Sequence, residues 1–381
     1  MNILTSDFEI TTYNTGNPYD SRNKAVCVGI KEGDSKTEVL FEGIDSGLNF
    51  NDINLFVFFN AKYDLSWWRK CGQDISEWRV WCCQIAEFLL EGQRTPYPSL
   101  NDAASKYGFN TKIDIVATEY WDKGINTDSI PHDILAEYCG WDVDLTYSVY
   151  LRQVEQFKEK PQLYKLFRIW MEDLKVLQEM EWNGQIFDET LCLERAQEND
   201  IRLQELRAQL ASVYPEVPIN FNSGPQLSAF LYGGTITTTE KHHDGFFKTG
   251  QKKGQPKLKN ISVEHVLPRL IEPLKNSEMT KAGVFATDEG TLRKLKGPNA
   301  KKYVTKLLEY AKLEKLNSTY YRGLPAINAE MHWGEREIHG QYNQCVAATG
   351  RLSSSKPNAQ NFAGDCLDVF ITRYPTGSST I

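Results

Sequence analysis

The sequence predicts an α/β domain, then a mainly α-helical region, then a short tail of strands and turns. Three observations carry this. Strand-like patterns crowd the first 60 residues, ending in the short apolar run NLFVFFN at 54–60, as a buried central strand should read. From about residue 161 the pattern turns helical, beginning with KLFRIWMEDLKVLQEMEW. The last stretch, 336–381, is broken by Gly, Ser and Pro and carries no helical period.

Along the chain, strands are predicted at residues 2–9, 24–30, 37–43 and 54–60. Ser99-Leu-Asn-Asp102 reads as a capping box that opens a helix. Pro131 stands near the start of a long amphipathic stretch, 131–157. Strands with helices around them make residues 1–157 one α/β domain. Residues 158–335 form the helical region. Its first helix runs to Gly184, where a glycine can stop it. A second covers about 188–213 and ends near Pro215, and Ser223-Gly-Pro225 caps a short third helix. Residues 235–260 hold five lysines between 248 and 259, with glycines and a proline among them. No apolar period is visible there, so a mobile loop is expected. Helical patterns return at about 288–325.

The chain has 381 residues, 41% hydrophobic and 24% charged, which suits a folded protein with room for two or three domains. No run of about 18 apolar residues is present, and the N-terminus MNILTSDFEI lacks the layout of a signal peptide. None of the eight cysteines forms a CxxC pair. A cytoplasmic protein with reduced thiols and no membrane partner is expected. The net charge of −7 is uneven: residues 1–160 hold about 25 acidic and 15 basic side chains, residues 241–322 about 8 and 18. An acidic module joined to a basic one can cut and hold one polyanion, or the charge can be a solvated surface.

Three short patterns carry candidate chemistry. Asp7-Phe8-Glu9 puts two carboxylates on one side of a strand. Asp64 follows the central strand in Asn60-Ala-Lys-Tyr63-Asp64. Tyr138 and Asp142 stand four apart, on one face of a helix. Singly, these read as a surface edge, a helix cap, and a core phenol with a solvated carboxylate. Together they offer oxygen ligands to hard divalent cations. Two such ions about 4 Å apart can activate water and neutralise a leaving oxygen in phosphodiester hydrolysis.

In order and spacing, DxE, NxxYD and YxxxD resemble the three motifs of DEDD-superfamily exonucleases, and the tyrosine resembles the DEDDy subclass that proofreads in family A DNA polymerases. The resemblance covers most of residues 1–157. It implies a ribonuclease H-like mixed sheet and a 3′→5′ exonuclease using two Mg²⁺ or Mn²⁺ ions. It further implies that Asp7, Glu9 and Asp142 ligate one ion, that Asp7 also touches the second, that Asp64 helps hold that one, and that Tyr138 positions the attacking water. Ile10 departs from the pattern, where the superfamily usually has threonine.

Thr349-Gly-Arg-Leu-Ser-Ser-Ser-Lys-Pro-Asn358-Ala-Gln360-Asn361 is the most specific string in the chain. Arg351 offers a planar fork of donors, and the Ser, Asn and Gln side chains are neutral donors. Such a set suits duplex phosphates and the degenerate minor groove. The string closely resembles a segment of family A DNA polymerases. Glu181-Trp-Asn-Gly184, Phe221-Asn-Ser223, Thr287-Asp-Glu289 and Lys312 through Tyr320 resemble other family pieces in the same order. The resemblance implies a mainly helical polymerase thumb at 158–335 and the incomplete start of a palm at 336–381. It implies duplex contact by Arg351, Asn358, Gln360 and Asn361, and phosphate contact by Lys252, Lys253, Lys257 and Lys259. The implied partner is DNA, both a single-stranded 3′ end and a primer–template duplex.

The family's catalytic palm aspartates and fingers helix have no counterpart before Ile381. They are expected on a second polypeptide, as in a split polymerase, or were removed by truncation. The short nuclease module looks phage-like, which would place the protein in a host cytoplasm. Two rival readings are a free-standing nuclease acting on DNA or RNA ends and a non-catalytic DNA-clamping subunit. The duplex-contact string weighs against the first, and the complete acidic set against the second.

Overall fold

The computed structural model describes residues 1–44, 48–111, 115–246, 249–250, 252–275, 279–280 and 283–373. Lys248 and the tail at 374–381, both named above from the sequence, lie outside the described residues. The chain divides into two units: Met1–Glu189 with the segment from Leu324 onward, and Thr190–Gly323.

The first unit is built on a five-stranded mixed sheet. Its strands are β1 (Ile3–Ile10), β2 (Ala25–Glu32), β3 (Glu38–Leu40), β4 (Leu55–Phe58) and, after helix α1 (Ala61–Lys70), β5 (Val80–Cys82). The spatial order is β3-β2-β1-β4-β5. β1, β2 and β3 run antiparallel in succession, while β4 lies parallel to β1 and β5 parallel to β4. Helices α2 (Cys83–Leu90), α3 (Leu100–Lys106), α4 (Ile115–Glu119), α5 (His132–Glu159) and α6 (Pro161–Asn183) follow, then strand β6 (Gln185–Phe187). The α3 cap is the expected box, with Ser99 Oγ accepting from the Asp102 amide at 3.1 Å. The core is strongly aromatic: Phe56 stacks on Trp78 at 3.8 Å and Phe8 meets Trp68 edge-on at 4.8 Å. Each such ring contributes roughly 1.5–3 kcal/mol through burial.

β5 and α2 went unread in the sequence. Residues 80–90 are nearly all apolar, and no turn residue separates the strand from the helix. Neither period shows in a run that is buried all round.

The second unit contains α7 (Glu189–Ala211, whose first residue belongs to the first unit), α8 (Gly224–Tyr232), β7 (Gly234–Phe246), β8 (Pro256–Leu267), α9 (Glu289–Leu292) and α10 (Thr305–Lys315). Residues 235–246 and 256–260, expected from the sequence to lie in a mobile loop, are strand instead. They lie in a long antiparallel ribbon, paired from Gly234↔Leu267 out to Phe246↔Pro256. β-branched residues at 235–239 and 261–263 supply strand propensity. The lysines and glycines outweighed that signal in the sequence. Gly250 and Gly254, at φ +80° and +83°, serve the turn region instead of dissolving the strands. The helical reading at 288–325 is interrupted too, since α10 is flanked by π-turns at Ala300–Val304 and Leu316–Tyr321.

The chain then re-enters the first unit through α11 (Gly323–Met331), β9 (Glu337–Ile338), β10 (Gln341–Asn343), β11 (Ser353–Ser355) and β12 (Phe370–Ile371). β6 is the middle strand of a small sheet of order β12-β6-β9, and β10 pairs with β11. All eight cysteines are buried. Among the described residues no helix is long and apolar enough to cross a membrane.

A candidate metal centre on the mixed sheet

The site begins with strand alternation. Asp7 and Glu9 are two apart on β1, opposite Gly29 and Cys27 of β2. Helix α5 packs across both strands, and Gly29 is what lets it come close. A Cβ there would lie 2.7 Å from Val143 Cγ2 and 2.9 Å from Cys139 Sγ. The approach brings one turn of α5 onto the carboxylates. Ligand atoms of Asp7, Glu9 and Cys139 all lie within 4.8 Å of one another, and the Cys139 thiol donates to the Asp7 carbonyl at 3.6 Å.

Asp64 joins them from the first turn of α1. It is 3% exposed. Burial pushes its carboxyl well above the usual range, and the Asp7 charge pushes the same way, against hydrogen bonds from its own amide and that of Phe8. The neighbouring Tyr63 phenol is also raised, first by burial and also by Asp64, Asp7 and Glu9. Its hydroxyl donates to the Gly16 carbonyl at 2.9 Å. A hydrogen bond with Cys27, and after it burial, raises the Cys139 thiol, and Glu9 and Asp7 add to it. Three acidic groups thus share one poorly solvated place. A divalent cation would relieve that repulsion, and the carboxylate oxygens suit a hard ion.

Tyr138 and Asp142 flank Cys139 on α5, both half-buried. The Tyr138 ring meets Trp121 edge-on at 5.7 Å. Two neighbours escaped the sequence reading. Cys139 stood next to Tyr138 with no spacing signal of its own. Trp141, three residues after Tyr138 on α5, is 44% exposed, and its place next to Asp142 in the chain was the available cue.

A buried network lies next to this centre. Lys62, two residues before Asp64, pairs with Glu181 of α6 at 2.5 Å and also donates to the Tyr342 carbonyl. The Tyr342 amide donates to the same Glu181 oxygen at 2.6 Å, and His339 Nδ1 lies 2.8 Å from the Glu181 carbonyl. Burial raises the Glu181 carboxyl despite Lys62 and the Tyr342 amide, which lower it.

The other residues singled out from the sequence are not members of the Asp7, Glu9 and Cys139 cluster. Arg351, Asn358, Gln360 and Asn361 are exposed around the β10–β11 hairpin. Asn358 Oδ1 accepts from the Gln360 amide at 3.2 Å, and buried Ser354 Oγ accepts from the Ala359 amide at 3.1 Å, which fixes the returning chain. Lys252, Lys253, Lys257 and Lys259 are exposed on the ribbon of the second unit. Lys257 pairs with Asp244 at 3.1 Å.

Comparison with known proteins bears on the segment from β8 to β12. Residues 263–373 match DNA polymerase family A. Relatives extend the likeness. DNA polymerase I of Synechocystis sp. is 28% identical over 286 residues, covering 73% of this chain and 24% of that protein. The DNA polymerase of Bacillus phage SP01 is 25% identical over 339 residues, 81% of this chain and 34% of that protein. The thermostable DNA polymerase I of Thermus filiformis is 43% identical over 81 residues, 21% of this chain and 9% of that protein. The chain therefore spans about a quarter to a third of the length of its longer-matching relatives. Among solved structures, the POL domain of Pol1 from M. smegmatis, in complex with DNA primer-template and dNTP, shares the fold. Its TM-score is 0.63 at 18% identity, covering 94% of this chain and 51% of that chain.

Proposed function

We propose that the chain is the 3′→5′ exonuclease and DNA-gripping portion of a family A DNA polymerase, and that Asp7, Glu9, Asp64 and Asp142 hold two Mg²⁺ or Mn²⁺ ions for hydrolysis. The observation that carries the reading is the convergence of Asp7, Glu9 and buried Asp64 beneath the α5 turn that bears Tyr138 and Asp142. The strand order β3-β2-β1-β4-β5, with two antiparallel and two parallel pairings, supports a ribonuclease H-like domain. Bound ions would activate a water and neutralise the leaving oxygen.

The chain's own groups do the rest. Asp7 and Glu9 present their oxygens from rigid β1, so little reorganisation is needed. Burial and the Asp7 charge hold the Asp64 carboxyl above the ordinary aspartate range, and it would have to lose its proton to ligate a cation. The Tyr138 hydroxyl orients the attacking water. The test is degradation of a 3′-labelled single-stranded oligonucleotide with Mg²⁺ or Mn²⁺. Release of nucleoside monophosphates supports the reading. No release from a folded chain that binds the metals overturns it.

Trp141 stacks on a terminal base in this reading. Base–aromatic stacking contributes about 1–3 kcal/mol, so Trp141→Ala is expected to raise the KM for a single strand by roughly tenfold or more, with kcat nearly unchanged. Steady-state kinetics check the split. Tyr138→Phe is expected to lower kcat instead, by less than loss of a carboxylate does.

The β10–β11 residues Arg351, Asn358, Gln360 and Asn361 contact duplex DNA, and the ribbon lysines contact phosphates. Replacing Lys252, Lys253, Lys257 and Lys259 together is expected to flatten the salt dependence of duplex binding by up to ~3–4 in log–log slope. Cleavage of very short single strands is expected to be unchanged. Fluorescence anisotropy across a salt series measures the slope.

A further inference from the structure

A second site, separate from the carboxylates, lies where α5 and α6 meet over the edge strand β5. It is a cleft of about 840 Å³, within the roughly 300–1,000 Å³ range of small-molecule sites. Its wall is aromatic. Trp81 of β5 has ring centroids 5.7 Å from Phe157 and 6.3 Å from Tyr164. The Trp81 indole N–H donates to Gln153 Oε1 at 3.1 Å, which fixes the ring. Tyr164 is 40% exposed and presents its ring to solvent.

The rim carries more cations than anions. Arg79, Lys158 and Arg168 border the cleft, with one carboxylate, Glu172, among its lining. Lys158 pairs with Glu155 at 2.7 Å. Arg79 and Arg168 are both exposed, and neither makes an ion pair or side-chain hydrogen bond among the described residues. Tyr164 and Arg168 are four apart on α6, so ring and guanidinium share one face.

We propose that this cleft binds a nucleotide, its base against Tyr164 and the aromatic wall and its phosphate between Arg79 and Arg168. Two unpaired guanidiniums beside an apolar ring call for a ligand that is flat at one end and anionic at the other. A planar fork of donors matches a phosphate better than a point charge does. Aromatic rings accept any base, so the site distinguishes nucleotides from other anions rather than one base from another. The ligand unit is a nucleoside monophosphate, either free or as part of a strand.

The test is photo-crosslinking of the full chain with an azido-substituted deoxyadenosine monophosphate in EDTA, so that no metal serves the carboxylate centre. Adducts are mapped by mass spectrometry. The expected adducts fall on peptides bearing Trp81 or Tyr164. Tyr164→Ala is expected to weaken labelling about tenfold or more, and Arg79→Ala with Arg168→Ala to do the same. The arginines are exposed and unpaired, so that double variant tests the proposal even if Tyr164→Ala fails to fold. Asp7→Ala is expected to leave labelling unchanged, which separates this site from the exonuclease reading. An oligothymidylate that competes better than thymidine monophosphate identifies a strand as the source, and equal competition identifies the free nucleotide. Adducts that map elsewhere, or labelling unchanged by loss of both arginines, would overturn the proposal.

Discussion

Replacing Asp7 and Glu9 together by alanine is expected to lower 3′→5′ degradation of single-stranded DNA by on the order of a thousandfold or more. Both side chains sit in the carboxylate cluster. Removing both takes away two of the four carboxylates proposed to hold the ions. Metal-linked stability gives a readout independent of activity. Mn²⁺ at about a hundred times its Kd is expected to stabilise the parent chain by roughly 2.7 kcal/mol and the double variant by far less. If the variant is stabilised equally, the ions bind elsewhere.

The same centre predicts a pH effect. The folded-state carboxyl of Asp64 is raised above its unfolded value by burial and by Asp7. Its contribution to the stability of the metal-free chain is therefore full below the unfolded pKa and is lost as pH rises through the folded one. Asp64→Asn removes that titration. It is expected to make the metal-free chain more stable at neutral pH, while activity falls. Thermal unfolding in EDTA at acidic and neutral pH checks the sign, and a variant less stable than the parent at neutral pH would contradict it.

Glu181→Ala is expected to destabilise the chain by about 3–5 kcal/mol, the usual cost of stranding one partner of a buried ion pair. Lys62 would lose its carboxylate and the Tyr342 amide its acceptor at once. Glu181→Gln keeps an acceptor for that amide and is expected to cost less. Denaturant titration of both variants ranks them. Because Lys62 shares the first turn of α1 with Asp64, the Glu181→Ala loss is also expected to weaken Mn²⁺ binding, which calorimetry reads directly.

Elements that obey a local rule were legible in the sequence. β1, β2 and β4, the Ser99 capping box, and the helices at 132–159 and 161–183 stood close to where period and capping residues put them. Elements whose signal was overridden did not show. The ribbon hid because lysines and glycines outnumber its β-branched residues. β5 with α2 hid inside a run apolar on every face. For the candidate site, the carboxylates could be singled out by residue type and spacing. The contact that assembles them could not, since it depends on a missing side chain at Gly29 and on Cys139 approaching from 132 residues away. The cleft on β5 is likewise invisible in sequence, because Arg79, Phe157 and Arg168 meet only after α5 and α6 have folded back over that strand.

The middle strand β6 bears on how this protein is made. It spans residues 185–187, and its neighbours are β9 at 337–338 and β12 at 370–371. When β6 leaves the ribosome, neither partner has been synthesised. At about 5–20 residues per second, roughly 7–30 seconds pass before the first arrives. During that interval the strand has two bare edges, and Glu181 still lacks the Tyr342 amide. The second unit, Thr190–Gly323, is made wholly within that wait. Such widely separated pairing slows the last folding step. Nascent chains halted before residue 337 should therefore be the protease-sensitive and chaperone-dependent species, and those halted beyond β12 should not.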